Sequence, residues 1–264
     1  MADFKQIAQL FEDRVENVDY YETRAHLRAK NELLDILDGE TKQLIFLVGE
    51  PGSGKSLFLY NLPKILDEKY HVIRFNTPFF EPVDFIKHLI WRKDSEVGEH
   101  ALEQLIAQAV ELYKESPTIV AIDEAQLLSK DMIELLRILA DSKAFWFIMA
   151  MHRHESAKIL REPQFSSRPH RIIELGLLEY DEAREYIAKE LLKAGAYNLE
   201  EELSKKQAKT IYKFSKGNFR DTKKLLHRMF LLMDAALKLG KDEFTKPSRC
   251  LVTMAAIDGG LVDS

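Results

Sequence analysis

The sequence predicts an α/β fold with a parallel sheet, followed by a second, helical domain. Over the first 175 residues, short and continuously apolar segments alternate with segments of helical periodicity. This alternation is typical of a parallel sheet that is covered by helices on both faces. Two polar motifs each follow a predicted strand, and an open α/β sheet places its active site at that edge. Beyond Leu175 only helical periodicity remains.

The elements of the α/β region follow from hydrophobic periodicity and turn residues. An amphipathic helix at 3–16, with Phe4 and Ile7 on its apolar side, precedes a helix at 24–38. Strands are expected near 43–48, 70–75, 118–123, 145–150 and 171–175. Helices are expected near 54–67, 82–93, 99–114, 129–142 and 153–161. Pro63 lies inside the helix at 54–67 and is expected to kink it.

The helical domain is predicted from four further segments, at 179–194, 200–215, 218–239 and 246–257. Gly195 and Gly240 are placed to end two of these helices. We therefore divide the chain into an α/β domain at 1–176, which includes both N-terminal helices, and a helical domain at 177–264.

Composition and charge limit the class of protein. The chain has 264 residues, of which 46% are hydrophobic and 31% charged, as in a folded globular protein. The net charge of −5 argues against nucleic-acid binding over the whole surface, and a single cysteine, Cys250, excludes an internal disulfide. No apolar run has the length of a membrane span, and no signal-peptide pattern is present. We expect a cytoplasmic protein that meets the inner membrane only through a partner.

The first polar motif is a phosphate-binding loop. Residues 49–56 read GEPGSGKS and fit the pattern G-x-x-x-x-G-K-[ST] at every fixed position, between a predicted strand and a predicted helix. The glycines let backbone N–H groups approach phosphates closely. Lys55 is expected to reach the β- and γ-phosphates of ATP, and the Ser56 hydroxyl to ligate Mg²⁺. The predicted nucleotide-binding set is Gly49, Glu50, Pro51, Gly52, Ser53, Gly54, Lys55, Ser56 and Leu57.

The second polar motif is the carboxylate pair Asp123-Glu124, which follows the apolar segment 118–122. Asp123 is predicted to hold Mg²⁺, directly or through water. Glu124 is predicted to be the general base for the water that attacks the γ-phosphate. A solvated turn is the alternative for the pair alone. Together with the phosphate-binding loop, the pair favours ATP hydrolysis.

The combination resembles the AAA+ ATPases. More narrowly, it is similar to the ATPase module of general secretion pathway protein A and of MshM-type pilus-biogenesis proteins, whose relatives include transposition target-selection ATPases and replication initiators. The matching stretches are LVGEPGSGKS, VAIDEAQLLSKDMIELLRIL, REPQFSSRPHRIIELGLLEYDEAREYIAKELLKAGA and SKGNFRDTKKLL. The resemblance implies a P-loop NTPase fold with a five-stranded sheet in the order 5-1-4-3-2, ATP between sheet and helical lid, and a homo-oligomer in ATP. It spans about residues 20–240, and we expect only the ATPase module to carry over to this chain.

The resemblance also assigns roles to two arginines. Arg168, in the stretch SSR, matches the arginine finger that reaches the γ-phosphate of a neighbouring subunit. Arg220, in the stretch GNFR, matches the lid residue that senses the γ-phosphate within the same chain. The alternative for each is a surface charge.

Two polar positions at strand ends are assigned in the same way. Asn76 matches the residue that restrains the catalytic glutamate, or else it begins a turn. The sensor after the fourth strand is assigned to His152, with Arg153 as second choice, because the sequence there departs from the Gly-Gln-Pro-Glu pattern of the family. A metal pair formed by His152 and His154 lacks a third ligand.

A basic stretch lies in the helical domain. Between residues 203 and 228 there are nine basic residues and one acidic residue, Asp221. The basic residues are Lys205, Lys206, Lys209, Lys213, Lys216, Arg220, Lys223, Lys224 and Arg228. Lys205, Lys209, Lys213 and Lys216 recur at helical spacing and are expected to share a face. Three interpretations stay open: a solvated face, a docking surface for an acidic neighbouring subunit, or a contact with the DNA backbone.

Three functions are compatible with these features. The first is a Mg²⁺-dependent AAA+ ATPase that drives assembly of a secretion, pilus or DNA-uptake machine, with a membrane-associated component of that machine as its partner. The second is a DNA-binding ATP switch of the transposition target-selection type. The third is a scaffold that binds ATP and hydrolyses it negligibly.

Overall fold

The computed structural model describes residues 3–13, 20–39, 42–67, 69–76, 81–97, 101–161 and 170–262. The chain divides into two compact units. The α/β unit comprises Arg24–Glu50 and Gly54–Leu175, and the helical unit comprises Met1–Thr23, Pro51–Ser53 and Gly176–Ser264. None of the helices in the described ranges is long and apolar enough to cross a membrane.

The α/β unit contains a five-stranded parallel sheet in the order β2-β3-β4-β1-β5. This confirms the predicted order, read from the opposite edge. The strands are β1 (Leu44–Gly49), β2 (His71–Phe75), β3 (Thr118–Ile122), β4 (Trp146–His152) and β5 (His170–Leu175). Every residue of β1 and β3 is buried, whereas β2 and β5 at the edges are partly exposed. This is the burial expected of a parallel sheet covered on both faces.

In the described residues, six helices accompany the sheet: α2 (Arg24–Gly39), α3 (Lys55–Ile65), α4 (Pro82–Trp91), α5 (Leu102–Tyr113), α6 (Lys130–Asp141) and α7 (Arg153–Ile159). Local sequence fixes their ends. The Ser129 hydroxyl caps α6 by accepting a hydrogen bond from the Met132 N–H at 3.2 Å. The buried Tyr113 hydroxyl donates to the Leu89 carbonyl at 2.8 Å and so joins α5 to α4.

The helical unit has its own apolar core. Its helices are α1 (Phe4–Gln9), α8 (Tyr180–Lys193), α9 (Tyr197–Glu200), α10 (Ala208–Ser215), α11 (Phe219–Lys238) and α12 (Arg249–Asp258), with a π-helical segment at Glu201–Gln207 between α9 and α10. Helix α1 packs in this core, although the sequence-based division placed it with the α/β domain. Its apolar residues are buried with those of α11, and the Phe11 ring stacks on Phe230 at 5.8 Å between centroids.

Candidate nucleotide-binding site

The phosphate-binding loop joins β1, which ends at Gly49, to α3, which begins at Lys55. Gly52 and Gly54 have φ angles of 76° and 94°, in the left-handed region that favours glycine. Space imposes the same requirement at Gly54, because a Cβ there would lie 2.6 Å from Nε2 of His26 in α2. The backbone of the loop therefore needs these two glycines.

Lys55 is buried at the start of α3, with 6% of its surface exposed. Its ammonium donates hydrogen bonds to the carbonyl oxygens of Gly49 at 2.9 Å and Glu50 at 3.0 Å. It also lies 3.3 Å from Nδ1 of His152. The positive charge is thus held against the backbone of its own loop.

Asp123 and Glu124 follow β3 at the carboxyl edge of the sheet. The Asp123 N–H donates to the Phe75 carbonyl at 3.0 Å, and its carboxylate accepts from the Glu124 N–H at 2.9 Å. Glu124 has a φ of 50°, which is uncommon for a residue with a side chain. Such a conformation costs about 1–3 kcal/mol and persists where the surroundings fix it, often at functional sites.

His152 connects the two predicted catalytic groups. It is the last residue of β4 and pairs in register with Gly49 of β1. Its Nδ1 faces the Lys55 ammonium at 3.3 Å, and its Nε2 lies 3.4 Å from the Glu124 carboxylate. An ammonium can only donate, so Nδ1 is the acceptor in the contact with Lys55. The geometry gives a chain of contacts from Lys55 through His152 to Glu124.

The side chain of Arg153, the second choice for the sensor, contacts other carboxylates of the α/β unit. Its guanidinium bonds to Glu174 at 2.8 Å and lies 3.7 Å from a carboxylate oxygen of Glu50. Of the two sensor candidates, His152 is therefore the one that contacts both Lys55 and Glu124.

Glu124 has a second partner that sequence reasoning missed. The Gln126 side-chain amide donates to the Glu124 carboxylate. Asn76 is exposed after β2, and within the described residues it makes no hydrogen bond to Glu124. In the described residues, the Glu124 carboxylate contacts Gln126 and His152. The available signal was the Asp-Glu-Ala-Gln sequence, in which Gln126 stands two residues after the glutamate.

The two predicted arginines have different outcomes. Arg168 lies outside the described residues. Arg220 lies in the first turn of α11 in the helical unit, where its guanidinium donates to the Asp13 carboxylate at 2.7 Å. Both side chains of this pair are more than half exposed, so the pair contributes little to stability.

The residues present fit a nucleotide phosphate and a magnesium ion. The loop supplies left-handed glycines, a buried lysine, and a buried Ser53 hydroxyl that has no hydrogen-bond partner in the described part of the chain. Ser56 and Asp123, both half-buried, are the predicted Mg²⁺ ligands. No cluster of three or more His, Cys, Asp or Glu side chains capable of holding a metal occurs in the described ranges. Mg²⁺ at nucleotide sites needs no such cluster, because phosphate oxygens and water complete its octahedron.

A basic groove of about 700 Å³ lies in the helical unit. It is lined by Lys206, Lys209, Thr210, Tyr212, Lys213, Phe214, Arg249 and Thr253. Within the described ranges, Lys209, Lys213 and Arg249 have no carboxylate at ion-pair distance, while Lys206 lies 3.6 Å from Glu202. Three of the four basic residues of the groove therefore carry a charge that no carboxylate of the described residues offsets at ion-pair distance.

The structure differs from the sequence-based description of the basic stretch in two ways. Lys205 precedes α10 in the π-helical segment, whose wider turn breaks the spacing of the α-helix, and Lys206 lines the groove instead. Lys223, counted in the basic stretch, is only 3% exposed, and its ammonium lies 5.1 Å from the centre of the Phe219 ring. Burial lowers the pKa of Lys223, and the carboxylates of Asp13 and Glu190 offset part of this effect.

Comparison with known proteins concerns the domain and its fold. Residues 37–160 match a family described as an AAA domain. Solved structures with a similar fold include Cdc6p from Pyrobaculum aerophilum, with 14% identity over 88% of this chain and 66% of that one and a TM-score of 0.63. The ORC2 protein of Aeropyrum pernix, in ADPNP–ADP complexes, is 15% identical over 95% of this chain and 71% of its own, with a TM-score of 0.60.

A third similar structure is the Aeropyrum pernix ORC1 protein in complex with DNA, with 15% identity over 96% of this chain and 69% of that one and a TM-score of 0.59. Of the Cdc6p chain, this chain covers about two thirds of the length. No curated protein sequence matches it. At these identities the structural likeness concerns the fold. Residues 37–160 therefore match an AAA domain model, and the chain shares the α/β fold of the P-loop AAA+ ATPase structures.

Proposed function

We propose that the protein is a Mg²⁺-dependent ATPase that couples ATP binding and hydrolysis to the assembly of a larger machine, of the secretion, pilus or DNA-uptake kind. The observation that carries the proposal is the contact chain from Lys55 through His152 to Glu124. These contacts bring a phosphate-loop lysine and a carboxylate to the same edge of the sheet. ATP hydrolysis needs both groups near the γ-phosphate.

Each residue has a role in this proposal. Lys55 and the loop N–H groups hold the phosphates of ATP, and Glu124 accepts a proton from the attacking water. Ser56 and Asp123 hold Mg²⁺, which when bound offsets negative charge on the phosphates. His152 acts as a positioning residue, because its Nε2 lies beside the Glu124 carboxylate while its Nδ1 contacts the Lys55 ammonium.

The wider assembly belongs to the same proposal. By resemblance, Arg168 serves the site of a neighbouring copy, Arg220 senses the γ-phosphate, and Asn76 restrains Glu124. The partner is then a component of a membrane-associated machine that the protein meets from the cytoplasm. The ATP turnover per subunit should rise with protein concentration, because each site is complete only when a second copy supplies its arginine.

Mixing two inactive variants tests the role of Arg168. Arg168→Ala protein retains an intact loop, and Lys55→Ala protein retains the arginine. We expect each variant alone to be inactive and a mixture of the two to recover part of the wild-type ATP turnover, because mixed oligomers contain one complete site. Turnover is measured by phosphate release, and co-assembly by light scattering in ATP. A mixture that co-assembles and stays inactive would contradict the role in trans.

A second candidate function is a DNA-binding ATP switch. The specific observation in its favour is the basic groove, in which Lys209, Lys213 and Arg249 stand without acidic neighbours in the described residues. The similar ORC1 structure was solved with DNA, which supports testing this possibility here. Sequence-independent phosphate contacts suit such a groove, since Lys and Arg displace counterions from the DNA backbone.

A triple substitution in the groove tests this function. If Lys209, Lys213 and Arg249 each contact a phosphate, changing all three to glutamine should flatten the slope of log K against log salt by up to about 2.7. Fluorescence anisotropy with two unrelated DNA duplexes at several salt concentrations measures this slope. Changing Lys224, Lys241 and Lys246 to glutamine is the matched control, because these exposed lysines of the same unit lie outside the groove.

The outcomes separate the two functions. Salt-dependent DNA binding that the groove variant loses and the control variant keeps supports the DNA switch. Equal loss in both variants indicates an effect of net charge alone. No DNA binding by the wild-type protein leaves the groove to a protein partner or to solvent, and the assembly ATPase is then the better proposal.

A further inference from the structure

Asn218 in the helical unit holds the apex of the phosphate-binding loop. Its side-chain amide donates a hydrogen bond of 2.7 Å to the Pro51 carbonyl oxygen. The adjacent N–H of Phe219 donates to the Gly52 carbonyl oxygen at 3.0 Å. The fit is close, because a Cβ added to Gly52 would lie 2.0 Å from Oδ1 of Asn218. In the stretch GNFR, the resemblance to the AAA+ ATPases assigns a role to Arg220 but none to Asn218.

Asn218 is itself held rigidly. It caps α11, since its Oδ1 accepts from the Asp221 N–H at 3.2 Å. Its own N–H donates to the Ser215 carbonyl at 2.8 Å. Gly217, just before it, has a φ of 77° and packs so closely on the Leu178 carbonyl that a Cβ would lie 2.2 Å from that oxygen. The amide is therefore presented to the loop in one fixed orientation.

Fixing two carbonyl oxygens also fixes two N–H groups. In a planar trans peptide, the C=O and the N–H point in opposite directions. The bonds to the Pro51 and Gly52 carbonyls therefore set the directions of the Gly52 and Ser53 N–H groups, which belong to the same two peptide units. In a phosphate-binding loop, these N–H groups cradle the α- and β-phosphates.

We propose that Asn218 is a positioning residue for nucleotide binding, whose side chain keeps the Gly52 N–H turned toward the phosphates while the adjacent Phe219 N–H does the same for Ser53. This inference rests on the proposed ATPase function. It assigns to the helical unit a direct part in shaping the loop, separate from sensing the γ-phosphate. It also explains the small residue at position 52, because both the left-handed φ and the Asn218 side chain exclude a larger one.

The test separates the amide donor from the helix cap. Asn218→Ser keeps a good capping oxygen, but its hydroxyl ends nearer the backbone than the amide nitrogen and is committed to the cap. Asn218→Asp also keeps the cap, but it replaces the donor with a carboxylate. We expect the serine variant to bind ATP about 3- to 10-fold more weakly, the range for one hydrogen bond, and the aspartate variant to bind more weakly still.

The class of nucleotide distinguishes positioning from γ-phosphate sensing. Because the Gly52 and Ser53 N–H groups serve the α- and β-phosphates, Asn218→Ser should weaken ATP and ADP binding by the same factor. Arg220→Ala, in contrast, should weaken ATP binding more than ADP binding. Calorimetric titration of both nucleotides with Mg²⁺ measures these ratios. The Tm of Asn218→Ser without nucleotide should stay close to that of the wild type.

A capping variant in the same unit controls for stability. The Ser248 hydroxyl caps α12 by accepting from the Leu251 N–H at 3.2 Å, so Ser248→Ala should lower the Tm and leave nucleotide affinity unchanged. If Asn218→Ser binds both nucleotides as the wild type does while Lys55→Ala does not bind, the inference about Asn218 is wrong and the proposed function stands. If the folded wild-type protein binds no nucleotide, the proposed function itself fails.

Discussion

In a calorimetric titration, the Lys55→Ala protein is expected to bind ATP with Mg²⁺ on the order of 100-fold more weakly than the wild type, which removes tight binding. The reason is the position of its ammonium. Lys55 is buried, and its Nζ bonds to the Gly49 and Glu50 carbonyls beside the glycines of the loop. Within the described residues, no other lysine or arginine is bonded to these carbonyls. Alanine leaves the phosphates without this charge.

The control for this substitution lies on the same helix. Lys64 is exposed in the last turn of α3, so Lys64→Ala changes the net charge equally and should bind ATP as the wild type does. Thermal unfolding without nucleotide shows whether Lys55→Ala remains folded. An ATP affinity equal to that of the wild type in a folded Lys55→Ala protein would show that the phosphates are bound elsewhere.

The sheet and the placement of its polar ends were accessible from the sequence. The buried strands are short apolar runs, and their parallel direction follows from the helices inserted between them. The order of the strands was implied by the resemblance to the AAA+ ATPases. Gly49, Asp123 and His152 come at the ends of β1, β3 and β4, so the parallel direction alone brings them to one edge. Local pattern was sufficient here because each of these residues immediately follows or ends a strand.

Contacts between distant parts of the chain were not accessible in this way. The bond between Asn218 and Pro51 joins residues separated by 167 positions, and nothing in either local sequence indicates it. Arg249 and Lys209 line the same basic groove although they are also far apart in the sequence. The burial of Lys223 depends on how α11 packs, since helical spacing alone gives no depth. Helix α1 packs with α11 because both have apolar faces, and sequence order gave no sign of that choice.

The general base gives the other large effect. Glu124→Gln should lower the steady-state rate of ATP turnover by about 10²- to 10⁴-fold, the contribution of a positioned base, and leave ATP affinity near that of the wild type. Glutamine keeps the size of the side chain and can still accept from Gln126, so we expect the left-handed turn at this residue to be retained. What it loses is the ability to take a proton.

Two measurements on one protein preparation check this separation of binding from chemistry. Calorimetry gives the ATP affinity and phosphate release gives kcat, while Glu103→Gln, on the exposed side of α5, controls for the loss of one negative charge. We also expect Glu124→Gln to accumulate as an ATP-bound assembly in size-exclusion chromatography, because oligomers that form in ATP are no longer released by hydrolysis. A variant with wild-type kcat would move the base away from Glu124. A variant that loses both affinity and turnover would instead make the carboxylate part of the binding site, because a base that acts only on the attacking water leaves the ground state unchanged.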